Sequence, residues 1–436
     1  MNKSDVYDLV IVGSGFSAFG AALEAVLNGR QVLVVDGSPG AGGLASGFTY
    51  QDEWSVDKFY HHWFLEDLDV FKLLGELGLA GNIMEVPVKT GILSEDGIWR
   101  LDSIKSLLLF KQLSFLSRLR LGFLIMVCKC PINPAMFHKF TAKKFVLMLA
   151  GKEVYEKIWA PLLRSKFEKY ADNVSASWII SKIYLRSKNA SRHGEMLRYY
   201  EGGFQKCSQD IVRELSRLGV IFTFNFFVSN ITKNTNVFEL LSDEGKMAKG
   251  RKIVISGRKS TLNLMSDFMS DEALLDYENR FSMANVCVVL SLKCPLSDYY
   301  WLSMCSKNSD WVAVIEHTNM ISPKLYGGRH IIYLSRYVDS SNAFFMLSDE
   351  ELVQKSIEHI KAYFPDWSDE AVDVERTKVF RAKDTQPVVL SDDKFIKFKD
   401  VFDDWGVIAM EQIFPEDRGT NYAVREGRRV VRDLFA

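Results

Sequence analysis

The chain has 436 residues, 47% of them hydrophobic and 25% charged, with a formal net charge of −1. That is ordinary globular composition with room for two or three domains, and it excludes disordered, collagen-like and multi-span membrane classes. The balanced charge also excludes a generic nucleic-acid binder.

Val6 to Val12 reads as a buried parallel strand. Gly13-Ser14-Gly15-Phe16-Ser17-Ala18 follows as a G-x-G-x-x-A turn. A helix is expected over Phe19 to Leu27, closed by Asn28-Gly29, and then a strand from Gln31 to Val35 ending at Asp36. This order suits a dinucleotide. Gly13 permits a tight turn, Gly15 lets a pyrophosphate approach the backbone, Ala18 lets helix and strand pack closely, and the helix N-terminus faces the anion. Asp36 lies 21 positions after Gly15, where an acid can accept both ribose hydroxyls.

Beyond Asp36 come Gly42-Gly43-Leu44 in a small-residue loop and then Lys58-Phe59-Tyr60-His61-His62. From Arg100 to Arg198 there are 19 Lys and Arg against 6 Asp and Glu, a net of +13, with helical apolar spacing over Leu101 to Val127 and Met136 to Tyr170. Tyr200-Glu201-Gly202-Gly203 leads into an amphipathic helix, Phe204 to Leu218. Strand signals follow at Val220 to Phe227, Val237 to Leu241, Lys252 to Ser256, Val286 to Leu292, Trp311 to His317 and His330 to Tyr337. Asp349 to Phe364 reads as an acidic helix. Lys378 to Pro387 leads on to a strand from Trp405 that ends at Glu411, a loop, and a helix opened by Gly419-Thr420-Asn421-Tyr422-Ala423.

The Asp36-to-Gly43 spacing and this C-terminal pattern resemble the flavin amine oxidase superfamily, whose members include protoporphyrinogen oxidase, phytoene desaturase and UDP-galactopyranose mutase. A closer resemblance is to a bacterial group of protoporphyrinogen-oxidase-like FAD-dependent oxidoreductases. It rests on Lys58 to His62, Tyr200 to Gly203, Ile315-Glu316-His317-Thr318-Asn319 and Pro415 to Ala423, and covers nearly the whole chain. The resemblance implies an α/β fold in which a Rossmann-type FAD-binding domain (1–90, 200–270 and 378–436) is interleaved with a substrate domain (91–199 and 271–377). The substrate domain would comprise a mixed sheet and the basic helical insertion. It further implies that Gly42, Gly43 and Leu44 flank the pyrophosphate and ribityl chain, and that the Val228 backbone meets the adenine. Glu411 takes the place of a ribityl-binding acid, and Gly419 to Ala423 that of the segment whose N–H groups face the flavin pyrimidine. Many relatives have Gly-Asp where this chain has Met410-Glu411. No Cys or His lies from Asp400 onward, so FAD is expected to be non-covalent.

Candidate reactive groups are His61 and His62, as proton donors or acceptors or phosphate contacts, and Glu316, His317 and Asn319 at a strand end. Strand alternation puts Glu316 and His317 on opposite faces. Arg381 and Arg418 could each bind a carboxylate or phosphate or form structural ion pairs. No His or Glu spacing matches a metal site, and the six scattered cysteines include no Cys-x-x-Cys.

The expected activity is removal of a hydride from a C–H or C–N bond of a small or lipid-linked substrate, with electrons passed to oxygen, a quinone or another acceptor. A reduced-flavin sugar-nucleotide mutase without net redox, or a non-catalytic FAD-binding protein, remain open. Met1 to Asp8 is polar and unlike a signal peptide, so a cytoplasmic location is expected. Leu107 to Phe110 and Leu121 to Val127, flanking Lys111, Arg118 and Arg120, give residues 104–128 the character of a surface for peripheral membrane contact.

Overall fold

The computed structural model describes residues 6–50, 53–101, 103–130, 132–188, 190–191, 194–257, 259–306, 309–391 and 399–436. Two large sheets organise them. The first is ordered Ile221–Thr223, Val32–Val35, Val6–Val12, Met247–Ser256, and these four strands are parallel. Met247–Ser256 divides its outer edge between two partners. Its first half pairs antiparallel with Val237–Ser242, which continues to Val228–Asn234, and its second half pairs parallel with Trp405–Ile408. The central strands are apolar on both faces, as a sheet covered on both sides requires.

The helices Phe16–Leu27 and Thr420–Phe435 cross on one face of this sheet. Two glycines make the crossing close. A Cβ on Gly427 would lie 2.1 Å from the Ser17 carbonyl oxygen, and one on Gly20 would lie 2.5 Å from that of Val424. The last helix is thereby locked to the first, although some 400 residues separate them.

The second sheet is ordered Lys378–Pro387, Ser282–Leu292, His330–Val338, Ala313–Glu316, Trp301–Met304, Thr90–Ser94, Gly97–Arg100. It is antiparallel except where Trp301–Met304 meets Thr90–Ser94. Lys378–Pro387, expected within the nucleotide domain, is therefore an edge strand of the second sheet, zipped to Ser282–Leu292 by seven residue pairs. The return to the nucleotide sheet falls after it.

Two expected elements are broken by local chemistry. The strand signal over 220–227 yields only Ile221–Thr223, because the chain turns at Asn225 with φ +54°, a conformation that Asn tolerates. The apolar periodicity over 101–127 splits into Ile104–Leu108 and Phe115–Lys129. Ser103 and Ser114 cap the two starts, their hydroxyls accepting the Ser106 and Ser117 N–H groups. Ala142–Val154, Ala160–Phe167 and Ala176–Lys188 complete the basic insertion beside the second sheet. Among the described residues no helix is long and apolar enough to cross a membrane.

Candidate flavin site

The first turn has the shape expected of a phosphate cradle. Gly13 has φ +102°, and a Cβ there would sit 2.0 Å from the Ser256 carbonyl oxygen, so only glycine fits. Gly15 differs. Its backbone is extended, with φ −82°, and no atom lies within 4 Å of where its Cβ would be. Ala18 is fully buried, at 0% exposure, against the strand. The helix starting at Phe16 has no side-chain cap, so its first-turn amides, which have no carbonyl one turn back, are available to an anion.

Asp36 stands beside this turn. Its Oδ2 accepts the Ser14 N–H (2.7 Å) and hydroxyl (2.6 Å), and its Oδ1 accepts the Ser38 N–H (2.7 Å). An ionised carboxylate offers about four lone-pair sites, which leaves one on Oδ1 for a further donor. Phe226 N–H donates to the Asp36 carbonyl at 2.8 Å, so the segment entering Val228 runs along the same loop. Gly42, at φ +117°, donates its N–H to the Ser14 carbonyl (2.9 Å). Gly43 and half-buried Leu44 continue past the open face of Gly15. The open Gly15 face, the bare helix start and the remaining Asp36 site together fit a dinucleotide.

The C-terminal motif lies farther along. Gly419 is exposed, and no acidic residue occupies the first turn of Thr420–Phe435. The side chains here support the scaffold. Thr420 Oγ1 accepts the Trp63 indole N–H at 2.8 Å. Asn421 Oδ1 accepts the Asp69 and Val70 N–H groups at 2.8 and 3.1 Å, capping the helix Leu68–Glu76. Tyr422 and Ala423 complete that turn, with Ala423 N–H bonded to the Gly419 carbonyl. Glu411 is buried, and its Oε1 accepts the Ser282 hydroxyl at 2.6 Å. The expected ribityl acid is thus tied to the start of a second-sheet strand.

Between the two sheets runs Lys58 to His62. Phe204 connects it to the cradle. The Phe204 ring lies 6.0 Å from that of Phe16, the first residue of the helix after the glycine turn, and 5.1 Å from His61. His61 Nδ1 pairs with the Phe59 carbonyl at 2.7 Å, and His62 Nδ1 with the Tyr300 hydroxyl at 2.9 Å. Burial pulls the pKa of His61 down to about 4. Burial, reinforced by Arg186, pulls that of His62 down to about 3. Both rings are neutral at pH 7. A neutral His61 must donate from Nδ1 to the carbonyl, so its Nε2 is the acceptor.

The strand-end group divides. Glu316 and Asn319 hold a neighbouring loop, while His317 lies near enough to His62 to help lower its pKa. Glu316, 1% exposed, accepts the Leu296 and Ser297 N–H groups at 3.1 and 2.9 Å. Asn319 donates to the Ser297 and Tyr299 carbonyls, both at 2.9 Å. The pair holds the 296–299 loop. The strand ends at Glu316, and His317 opens a short 3-10 turn, His317–Asn319, that sends its ring another way. Its Nε2 meets the Tyr326 hydroxyl at 2.8 Å, and its ring packs among Tyr199, Tyr326 and Tyr333. Arg381 is structural, bonded to Asp349 Oδ1 at 2.6 Å and to the Phe345 and Leu347 carbonyls.

Sequence reasoning missed the groups that support this region. Asp57, buried just before Lys58, accepts the Tyr199 hydroxyl (2.7 Å) and the Phe204 N–H (2.9 Å), so it fixes the helix Gly203–Arg217 that presents Phe204. Burial pushes its pKa up to about 7 against these donors. Tyr337, Lys166, Lys182 and Asp417 join Tyr60 and Arg418, which the sequence singles out, in a second polar group. An Asp directly before the Lys58–His62 run was the one available signal for Asp57. Nothing in the spacing of Lys166 and Lys182 marked them out from other lysines of the insertion.

The family model of flavin containing amine oxidoreductases matches residues 21–384. The chain belongs to that family. It is therefore a flavin-dependent oxidoreductase, with the α/β fold seen in solved relatives. One is a provisionally named protoporphyrinogen oxidase from Exiguobacterium sp. 255-15, at 12% identity over 98% of each chain, with a TM-score of 0.73. Another is an oxidoreductase from Methanosarcina mazei, at 15% identity over 98% of this chain and 99% of the other, with a TM-score of 0.74. A third is cyclohexylamine oxidase from Brevibacterium oxydans IH-35A, at 15% identity over 99% of each, with a TM-score of 0.66. At these identities the likeness is one of fold. No curated protein sequence matches the chain.

Proposed function

We propose that this flavin-dependent oxidoreductase holds FAD non-covalently and removes a hydride from a C–H or C–N bond of a small or lipid-linked substrate. The observation that carries this reading is the position of Phe204, whose ring reaches both Phe16 and His61 and joins the nucleotide cradle to the polar stretch between the sheets. Asp36 binds the ribose. The first-turn amides above Gly15 bind the diphosphate, with Gly42, Gly43 and Leu44 along it, and Val228 borders the adenine. Glu411 stands near the ribityl chain, and the N–H groups at Gly419 to Ala423 favour negative charge at the pyrimidine end.

Bound flavin would supply the two-electron acceptor, with oxygen, a quinone or another compound as the final acceptor. The chain's own part is to position the substrate bond and exclude water. Tyr60, His62 and Trp301 pack edge-to-face as one aromatic wall, and His61 offers Nε2 as a neutral acceptor beside it. Non-covalent binding is supported by the absence of Cys and His from residue 400 onward. The test is anaerobic mixing of the FAD-loaded protein with a panel of amines and carboxylic acids. Bleaching of the flavin by one of them supports the reading. A conversion that needs pre-reduced flavin and consumes no electrons overturns it in favour of a mutase.

We also propose that residues 104–128 touch an anionic lipid surface. Phe115 is 65% and Met126 57% exposed, Leu109, Leu116 and Phe123 are also exposed, and Lys111 and Lys129 stand among them. Phe115→Asp combined with Met126→Asp should abolish co-sedimentation with vesicles containing phosphatidylglycerol. Equal sedimentation of wild type and double variant would contradict this.

A further inference from the structure

Two insertion helices bring a lysine each to the loop before the C-terminal helix. Lys166 Nζ, from Ala160–Phe167, lies 3.0 Å from Asp417 Oδ2, and Lys182 Nζ, from Ala176–Lys188, lies 2.6 Å from the same oxygen. Gln386 Nε2 donates to the other oxygen, Oδ1, at 2.9 Å. Arg418 turns to neutral oxygens instead. Its Nε donates to Gln386 Oε1 at 3.2 Å and its Nη2 to the Tyr337 hydroxyl at 2.7 Å. Among the described residues it forms no ion pair. Tyr337 in turn is 3.0 Å from the Tyr60 hydroxyl, and Tyr60 packs edge-to-face on Trp301, over which the Arg186 guanidinium lies at 5.6 Å.

Two lysines thus share one carboxylate, and the Arg418 guanidinium stands beside them at the aromatic wall. Asp67 also lies close to Lys182. Its Oδ2 accepts the Phe64 N–H, and burial pushes its pKa up to about 7. Burial also pulls Lys166 down to about 7, against the pull of Asp417. Surplus positive charge in a half-buried site is costly unless an anion offsets it. Arg and Lys donors converging beside two tyrosine hydroxyls match the oxygens of a carboxylate or phosphate.

We propose that Arg418, Lys166 and Lys182, with Tyr60 and Tyr337, form an oxyanion subsite that receives a carboxylate or phosphate group of the substrate, so that the substrate is an anion and not an ammonium. This rests on the reading that the Lys58–His62 stretch faces bound flavin. The resulting specificity differs from what the amine oxidoreductase name suggests.

The test titrates the FAD-loaded protein with benzoate, inorganic phosphate and benzylamine at constant ionic strength, following the flavin difference spectrum and the thermal midpoint. Benzoate or phosphate should bind saturably and benzylamine more weakly. Comparing benzoate with phosphate tells which oxyanion is preferred. Arg418→Gln and Lys182→Gln should each raise the anion dissociation constant by about tenfold or more. Lys182, being partly exposed, provides a variant that folds if Arg418→Gln does not. Tighter binding of benzylamine than of either anion overturns the proposal. So do variants with unchanged anion affinity and a shifted flavin reduction potential, which would place the cations on the flavin ring. If the protein takes up no FAD, the flavin reading fails separately, and anion-dependent stabilisation of the flavin-free protein still decides the subsite.

Discussion

Gly43 rests on Gly15: a Cβ added to Gly43 would lie 3.4 Å from the Gly15 Cα, so the two glycine motifs close around one space. Gly43 reaches this position with φ +56°, in the left-handed region that favours glycine. One side of Gly15 is thereby packed, while the direction of its own missing side chain stays open.

A pair of glycine substitutions separates packing from ligand space. Gly427→Ala must push its methyl group into the Ser17 carbonyl, and it should destabilise the protein by about 3 kcal/mol or more in urea unfolding. Gly15→Ala has room and an ordinary φ, so its stability should change by less than about 1 kcal/mol while FAD retention falls sharply. Normal FAD binding by Gly15→Ala would place the diphosphate elsewhere.

Asp36→Ala should weaken FAD binding by about tenfold to a hundredfold, the range for a lost hydrogen bond to a charged group. The Ser14 and Ser38 bonds tie the same carboxylate to the turn, so some of that loss is distortion of the cradle. Asp36→Asn, which keeps acceptor capacity, should lose less. Equilibrium dialysis of the two variants against FAD measures the difference. Unchanged affinity in Asp36→Ala would remove the acid from the ribose.

Much of the nucleotide unit is legible in the sequence because its signals are local. Val6–Val12 has the expected bounds, and Gly13, Gly15 and Asp36 meet across one turn. The site between the sheets is less legible, since its residues are assembled over long range. Lys166, Asp417 and Tyr337 come from two helical or loop segments and a strand, with no shared motif. Glu316 and Asn319 hold the 296–299 loop, a use that a polar strand end serves as readily as a pocket and that only the fold reveals.

Asn319→Ala should accordingly cost about 1–2 kcal/mol of stability, through loss of two bonds to the 296–299 loop, and leave the flavin spectrum unchanged. Urea unfolding and absorbance of the loaded protein check both halves. A large spectral change with unaltered stability would return Asn319 to the flavin.

His317 should remain neutral throughout the physiological range. Burial lowers its folded pKa to about 3, below the value of about 6.5 in an unfolded chain. The unfolded state therefore binds more protons between these values, and the stability contributed by the neutral ring is lost as pH falls below about 6.5. The stability advantage of wild type over His317→Asn should shrink by about 2 kcal/mol between pH 7 and pH 5. A difference independent of pH would mean that the ring is not desolvated.

The most direct test of the central claim is to purify the protein, supply FAD, remove the excess, denature it and identify the released chromophore by chromatography. The expected result is intact FAD in about equal amount to protein, with no flavin left on the chain. A colourless protein that takes up no FAD and binds NAD instead would contradict the claim.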